Sequence, residues 1–216
     1  MSARWTAILV SAAIGMARAS AAAAETRVFT VLVDGKPAGE FRLAVRTADD
    51  GTETATAAAS VQVRYLLLSY RYTYRGTEVW KAGRLQRFEA ASEENGKKHA
   101  VTAVAAENSL RVTADGVARS VRPDVWPTTY WRMPAAKVDQ AVVLLDADTG
   151  EAQPARIDSV GPARLTIAGT ATDCTRLHVA GPTPADLWYD ARGRLVGQET
   201  VEDGHKTVLM LREIQR

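Results

Sequence analysis

The chain holds one cysteine, Cys174, among 216 residues. That excludes an intramolecular disulfide and any Cys-x-x-Cys redox or metal motif. An unpaired thiol in an oxidising compartment is usually buried and inert, and Cys174 is read that way rather than as a reactive or dimer-linking group. Histidine is almost as scarce. His99, His178 and His205 are far apart in sequence and none sits in a His-x-His pair, so no metal site is expected. Cys174 and His178 would share one strand face, but at ~3.3 Å per residue they stand ~13 Å apart, too far for a thiolate–imidazole pair. A Gly-x-Ser-x-Gly elbow is missing. The Asp146-x-Asp148-x-x-Gly150 turn lacks the remaining ligands of a calcium loop. No catalytic residue and no cofactor is expected from these patterns.

Surplus charge is also missing. The leader contributes Arg4 and Arg18 to a total of 27 basic and 25 acidic residues, so the rest of the chain is balanced at 25 against 25. A neutral protein gives no electrostatic case for nucleic acid or anionic membrane. The apolar run Trp5–Met16 is shorter than the ~20 residues a spanning helix needs, and small residues follow it. Residues 1–24 therefore read as a secretory signal peptide, cut after Ala24 with Ala19 or Ala22 as alternatives. Residues 25–216 read as one exported, periplasmic domain with no integral membrane anchor.

Long helical periodicity is the last absence, and period-two alternation stands in its place. Strands are expected at Arg27–Val33, Ala38–Thr47, Glu53–Arg64, Ser69–Trp80 and Arg84–Ala91. Others follow at Lys98–Ala105, Ser109–Thr113, Val117–Val121 and Gln140–Leu145. The series ends with Gln153–Val160, Ala163–Ala168, Thr172–Val179, Leu187–Asp190, Leu195–Val201 and Lys206–Glu213. Gly- and Asp-containing turns separate them. Leu66–Leu68 is a continuous apolar stretch where a strand could bend. Pro123, Pro127 and Pro134 break the rhythm, excluding a long helix or central strand. A short helical turn near Thr128–Arg132 is expected there, within a loop that lies on the sheet as a plug or lid. The fold class is all-β: a strongly curved antiparallel meander, an open or closed barrel, with one short lid.

Ser69–Trp80 carries the clearest alternation, with Tyr70, Tyr72 and Tyr74 on one face. Glu78 and Trp80 join that face unless Gly76 forms a bulge. Trp126, Tyr130, Trp131 and Trp188 complete a set of aromatics that would either fill the core or line a cleft. A glutamate among rings would have a raised pKa unless an arginine paired with it.

Four stretches, VLVDGKPAGEF (Val31–Phe41), Tyr70–Gly96, PTTYW (Pro127–Trp131) and DLWYDARGRLVG (Asp186–Gly197), resemble a family of uncharacterised exported bacterial proteins known only as a domain of unknown function. That resemblance implies export and a β-rich domain, and supplies no activity. The Tyr189-Asp190-x-x-Gly193-x-Leu195 pattern is similar to the last hairpins of periplasmic lipoprotein carriers, which are open half-barrels. The first expectation is a non-catalytic carrier for a lipid-like or hydrophobic molecule. Its candidate ligand-binding residues are Tyr70, Tyr72, Tyr74, Glu78, Trp80, Trp126, Tyr130, Trp131 and Trp188. The alternatives are a structural or interaction protein of the cell envelope with a filled core, and a hydrolase or lyase using Glu78.

Overall fold

Among the described residues of the computed structural model, which are 23–65, 68–202 and 204–215, five hairpins turn on two residues each. Asp34-Gly35, Ala82-Gly83, Asn95-Gly96, Asp115-Gly116 and Ala168-Gly169 place both residues at φ between 48° and 88°. That is the turn geometry whose twist matches the flanking strands. The expected leader, residues 1–24, lies outside the described residues except for its last two. Leu66 and Leu67 lie outside them as well.

Strands occupy β1 (Ala23–Val33), β2 (Lys36–Thr47), β3 (Glu53–Tyr65), β4 (Leu68–Lys81) and β5 (Arg84–Glu94). They continue with β6 (Lys97–Ala105), β7 (Leu110–Ala114), β8 (Val117–Val121), β9 (Trp126–Pro127) and β10 (Gln140–Leu145). The last five are β11 (Ala152–Ile167), β12 (Thr170–Ala180), β13 (Ala185–Tyr189), β14 (Leu195–Glu202) and β15 (His205–Gln215). All fifteen belong to one sheet, running from β8 stepwise back to β1, across to β15, and stepwise back to β9. Neighbours are antiparallel throughout, except that β9 pairs parallel with β10.

The strongly curved sheet expected from the sequence, open or closed into a barrel, is not what forms. β8 and β9 are the two edges of the ladder and do not pair with each other, so the sheet neither closes nor curls strongly. The local chemistry explains the open edge. The chain between the two edges carries Pro123, and Pro127 removes a donor from β9 itself, which confines such a segment to an edge.

One face of the sheet is buried. Across β2 to β7, Val45, Ala55, Glu78, Phe88, Ala103 and Val112 form a single cross-strand row, and every member is buried. Burial of such a row supplies most of a sheet's stabilisation, at about 25 cal/mol per Å2 of apolar surface. Glu78 is the exception in its chemistry.

Gly76 makes no bulge, because the β3–β4 register is continuous from Glu53↔Trp80 to Tyr65↔Leu68. It is glycine for another reason: a Cβ there would lie 2.2 Å from the Tyr74 hydroxyl, so the Tyr74 ring occupies the space over it. Tyr72, Tyr74, Glu78 and Trp80 therefore do share a face. The two strands expected on either side of Gly161-Pro162 are one strand, β11, with a register shift between Ser159 and Gly161. The expected helical turn moves as well. It is a short 3-10 turn at Ala135–Lys137 with Pro134 at its N-cap, not at Thr128–Arg132.

Candidate functional site

Alternation on β4 aims Glu78 and Trp80 at the same side, and the segment from Trp126 to Arg132 lies against them. The Glu78 side chain is buried, with 3 % of its surface exposed. Its Oε2 accepts hydrogen bonds from the indole Nε1 of Trp80 at 2.7 Å and of Trp131 at 3.0 Å. Its Oε1 accepts one from the Thr129 hydroxyl. Burial pushes the carboxyl above the usual carboxylate range, against the pull of those three donors and of the Arg132 charge. Both oxygens are thus engaged by the protein's own donors.

Arg132 covers the same group of rings. Its Cζ lies 4.5 Å from the Trp80 ring centroid, 5.4 Å from that of Trp126 and 5.2 Å from that of Trp131. Such cation–π contacts strengthen as water is excluded. Nη1 also bonds Glu53 Oε2 at 2.5 Å. Trp80 and Trp126 are in contact, centroids 5.0 Å apart.

The Trp126–Met133 segment is pinned at almost every residue. Thr128 donates its amide to the Leu145 carbonyl, and its hydroxyl accepts from the Ala147 amide, both at 3.0 Å. The Tyr130 carbonyl accepts from the Tyr189 hydroxyl at 3.0 Å. The Trp131 carbonyl accepts from Arg27 Nη1 at 2.6 Å, and Met133 donates to the Gly193 carbonyl at 2.8 Å. Tyr130 itself is held at φ +48°, a left-handed conformation a bulky residue rarely adopts, and this web of bonds holds it there. The segment is a plug locked into the sheet.

Of the expected site residues, Tyr74, Glu78, Trp80, Trp126, Tyr130 and Trp131 belong to this buried assembly. Tyr72 stands farther along β4, where its hydroxyl donates to Asp148 at 2.8 Å. Tyr70 ends the row and is 36 % exposed. Trp188 is not brought to the group: it lies on the other face of β13, under the Arg176 guanidinium at 5.4 Å. Its neighbour Tyr189 is the buried one. Sequence reasoning missed Thr129, Arg132, Glu53 and Arg27. A signal for Glu53 did exist, since running the β3–β4 hairpin register to its end places it opposite Trp80.

Two clefts flank the assembly. One, of about 580 Å3, is bordered by Glu25, Arg27, Trp131, Arg132 and Arg194. The other, of about 220 Å3, lies beside Trp80, Pro123 and Trp126. Glu78 lines neither. Among the described residues no group of three or more His, Cys, Asp or Glu is placed to hold a metal ion. Each histidine instead faces an aspartate: His99 with Asp115, His178 with Asp186, His205 with Asp34. Among the described residues no helix is long and apolar enough to cross a membrane.

Residues 29–212 match the model of a family described as a domain of unknown function, DUF6134. No curated protein matches. A solved structure from Brucella abortus, titled a beta-barrel-like protein of domain of unknown function DUF1849, is similar over 89 % of this chain and 97 % of that one. The TM-score is 0.65 at 7 % identity. That likeness is one of fold.

Proposed function

Because the chain belongs to the DUF6134 family, whose description carries no activity, we propose a function from the chemistry of its own side chains: a non-catalytic interaction protein of the cell envelope, exported and acting through its outer surfaces. The observation that carries this reading is the saturation of Glu78. A catalytic acid or base needs a substrate proton within hydrogen-bond reach. Here Trp80, Trp131 and Thr129 occupy both carboxylate oxygens. The aromatic rings are likewise spent on one another and on Arg132, with Trp80 2 % and Trp131 4 % exposed. A filled, internally neutralised core supports an interaction module over a carrier that cradles an acyl chain among these rings.

Native mass spectrometry of the protein purified from its own host tests the reading. The expected spectrum is the mass of the polypeptide alone. A stoichiometric lipid-like adduct that disappears in Trp80→Phe would restore the carrier, and a turnover lost in Glu78→Gln would restore the enzyme.

A further inference from the structure

The larger cleft has a composition that its structural neighbours do not use up. Four arginines, Arg27, Arg132, Arg192 and Arg194, face it together with Glu25 and Glu53, and Trp131 and Met133 give it an apolar wall. Glu25 is shared between Arg27 at 2.6 Å and Arg194 at 3.2 Å. Asp190, just behind the lining, takes Arg194 at 2.5 Å, and Glu53 takes Arg132. Four guanidiniums therefore meet three carboxylates.

The surplus is Arg192. Its side chain is exposed and has no ion-pair or hydrogen-bond partner among the described residues. Donors are in excess as well as charge. Arg132 Nε is buried with no acceptor. Arg27, 3 % exposed, bonds through Nε and Nη1 of a group that offers five N–H donors. A planar fork of this kind matches an anionic oxygen pair, and a volume of about 580 Å3 falls within the ~300–1,000 Å3 of small-molecule sites.

We propose that this cleft binds a small carboxylate with a short apolar body, its charged end at the arginines, completed by Arg192, and its chain against Trp131 and Met133. The inference does not rest on the function proposed above: the cleft shares Trp131 and Arg132 with the aromatic assembly, but Glu78 does not line it, and its test turns on Arg192, which lies outside that assembly.

Trp131 on the wall makes tryptophan fluorescence a reporter, with calorimetry as a second readout. The probes are hexanoate, acetate and inorganic phosphate, added to the purified protein. Hexanoate is expected to saturate at a dissociation constant on the order of millimolar or tighter. Acetate should bind at least about tenfold more weakly, because each buried methylene adds to the hexanoate contact. Arg192→Gln should weaken hexanoate about fivefold or more and reduce its salt dependence. That variant keeps its fold: the side chain is unpartnered, and the turn bond is donated by the Arg192 backbone amide to the Asp190 carboxylate, which the substitution leaves in place. No saturable response to hexanoate would overturn the proposal. So would equal affinity in Arg192→Gln, or acetate or phosphate binding as tightly as hexanoate.

Discussion

Glu78→Ala and Glu78→Gln should behave very differently, and the difference can be worked out from the bonds. Alanine removes the acceptor of two indole N–H groups on side chains that are 2 % and 4 % exposed. A buried donor left without a partner costs about 1–3 kcal/mol, so the pair costs about 2–6 kcal/mol before the lost methylenes are counted. That is a large share of the ~5–15 kcal/mol by which a domain is stable. Glutamine keeps an oxygen where both indoles point. Its amide then faces Thr129, whose hydroxyl can accept as well as donate. The exchange gives up attraction to Arg132 and relieves a buried charge, terms of opposite sign, so a net change within about 1 kcal/mol is expected. Urea unfolding followed by tryptophan fluorescence measures both variants. The reasoning fails if Glu78→Ala lies within about 1 kcal/mol of the parent, or if Glu78→Gln costs as much as Glu78→Ala.

The same carboxyl sets a pH dependence. Its folded pKa is raised above the unfolded value, so the folded state binds more protons between the two. The group's contribution to stability is complete below the unfolded pKa of about 4.3 and declines as pH rises through the folded one. Glu78→Gln abolishes that component. The difference in unfolding free energy between parent and variant should therefore drift in favour of the variant as pH rises from 4 toward neutrality. A difference that is flat with pH would refute the assignment.

Gly39→Ala should be far more damaging than Gly76→Ala, because a Cβ at 39 would meet the Ser60 backbone carbonyl at 2.0 Å, whereas at 76 it meets the far end of the Tyr74 side chain rather than backbone. Thermal unfolding should show the first failing to fold or losing more than about 3 kcal/mol, and the second losing about 1–3 kcal/mol. Tyr72→Phe removes a donor from the half-buried Asp148 carboxylate and should cost about 1–2 kcal/mol in a urea titration. Cys174 is 6 % exposed, its thiol is pushed up by burial, and its Sγ faces the Thr172 carbonyl at 3.4 Å. It should resist a thiol reagent in native buffer and react fully in denaturant, and rapid native labelling would contradict that.

Local rules were readable to the residue where they acted alone. Alternation bounded by turn residues places Val117–Val121 and Gln140–Leu145 where the strands stand, because side-chain period and turn chemistry are both encoded within a few positions. What depended on distant pairing was not readable. β9 is a two-residue strand that exists only because Trp126 and Pro127 pair with Leu144 and Leu145, and no periodicity can appear in two residues. Whether the ladder closes is likewise decided by whether β8 and β9 pair; they are neighbours in the chain yet stand at the two edges of the sheet, and no local pattern encodes that. Trp188 shows a third limit. Alternation puts Trp188 and Tyr189 on opposite faces without saying which face is core, and the packing chose Tyr189. The face shared by the tyrosines, Glu78 and Trp80 follows from alternation, yet the setting of Glu78 and Trp80 comes from Thr129, Trp131 and Arg132, some fifty residues away along the chain.

An acid in the middle of an otherwise apolar row asks why a leucine is not there. Replacing a whole set of buried polar partners with apolar groups of like size is often neutral for stability, and the best-attested use of such a set is to fix register. Here Glu78 selects one position for the 126–133 segment, since only that position brings the indole of Trp131 and the hydroxyl of Thr129 to its two oxygens. Rings alone would tolerate a slide of the segment along the sheet. Glu78→Leu should therefore keep the strand signal in far-UV circular dichroism but lose the sharp near-UV signal of the tryptophans. Limited trypsin digestion should then cut after Arg132, which the parent's pinned segment protects. If Glu78→Leu instead retains the near-UV signal and resists trypsin there, Glu78 does not set the register, and the backbone bonds to Leu145, Gly193 and Arg27 suffice to hold the segment in place.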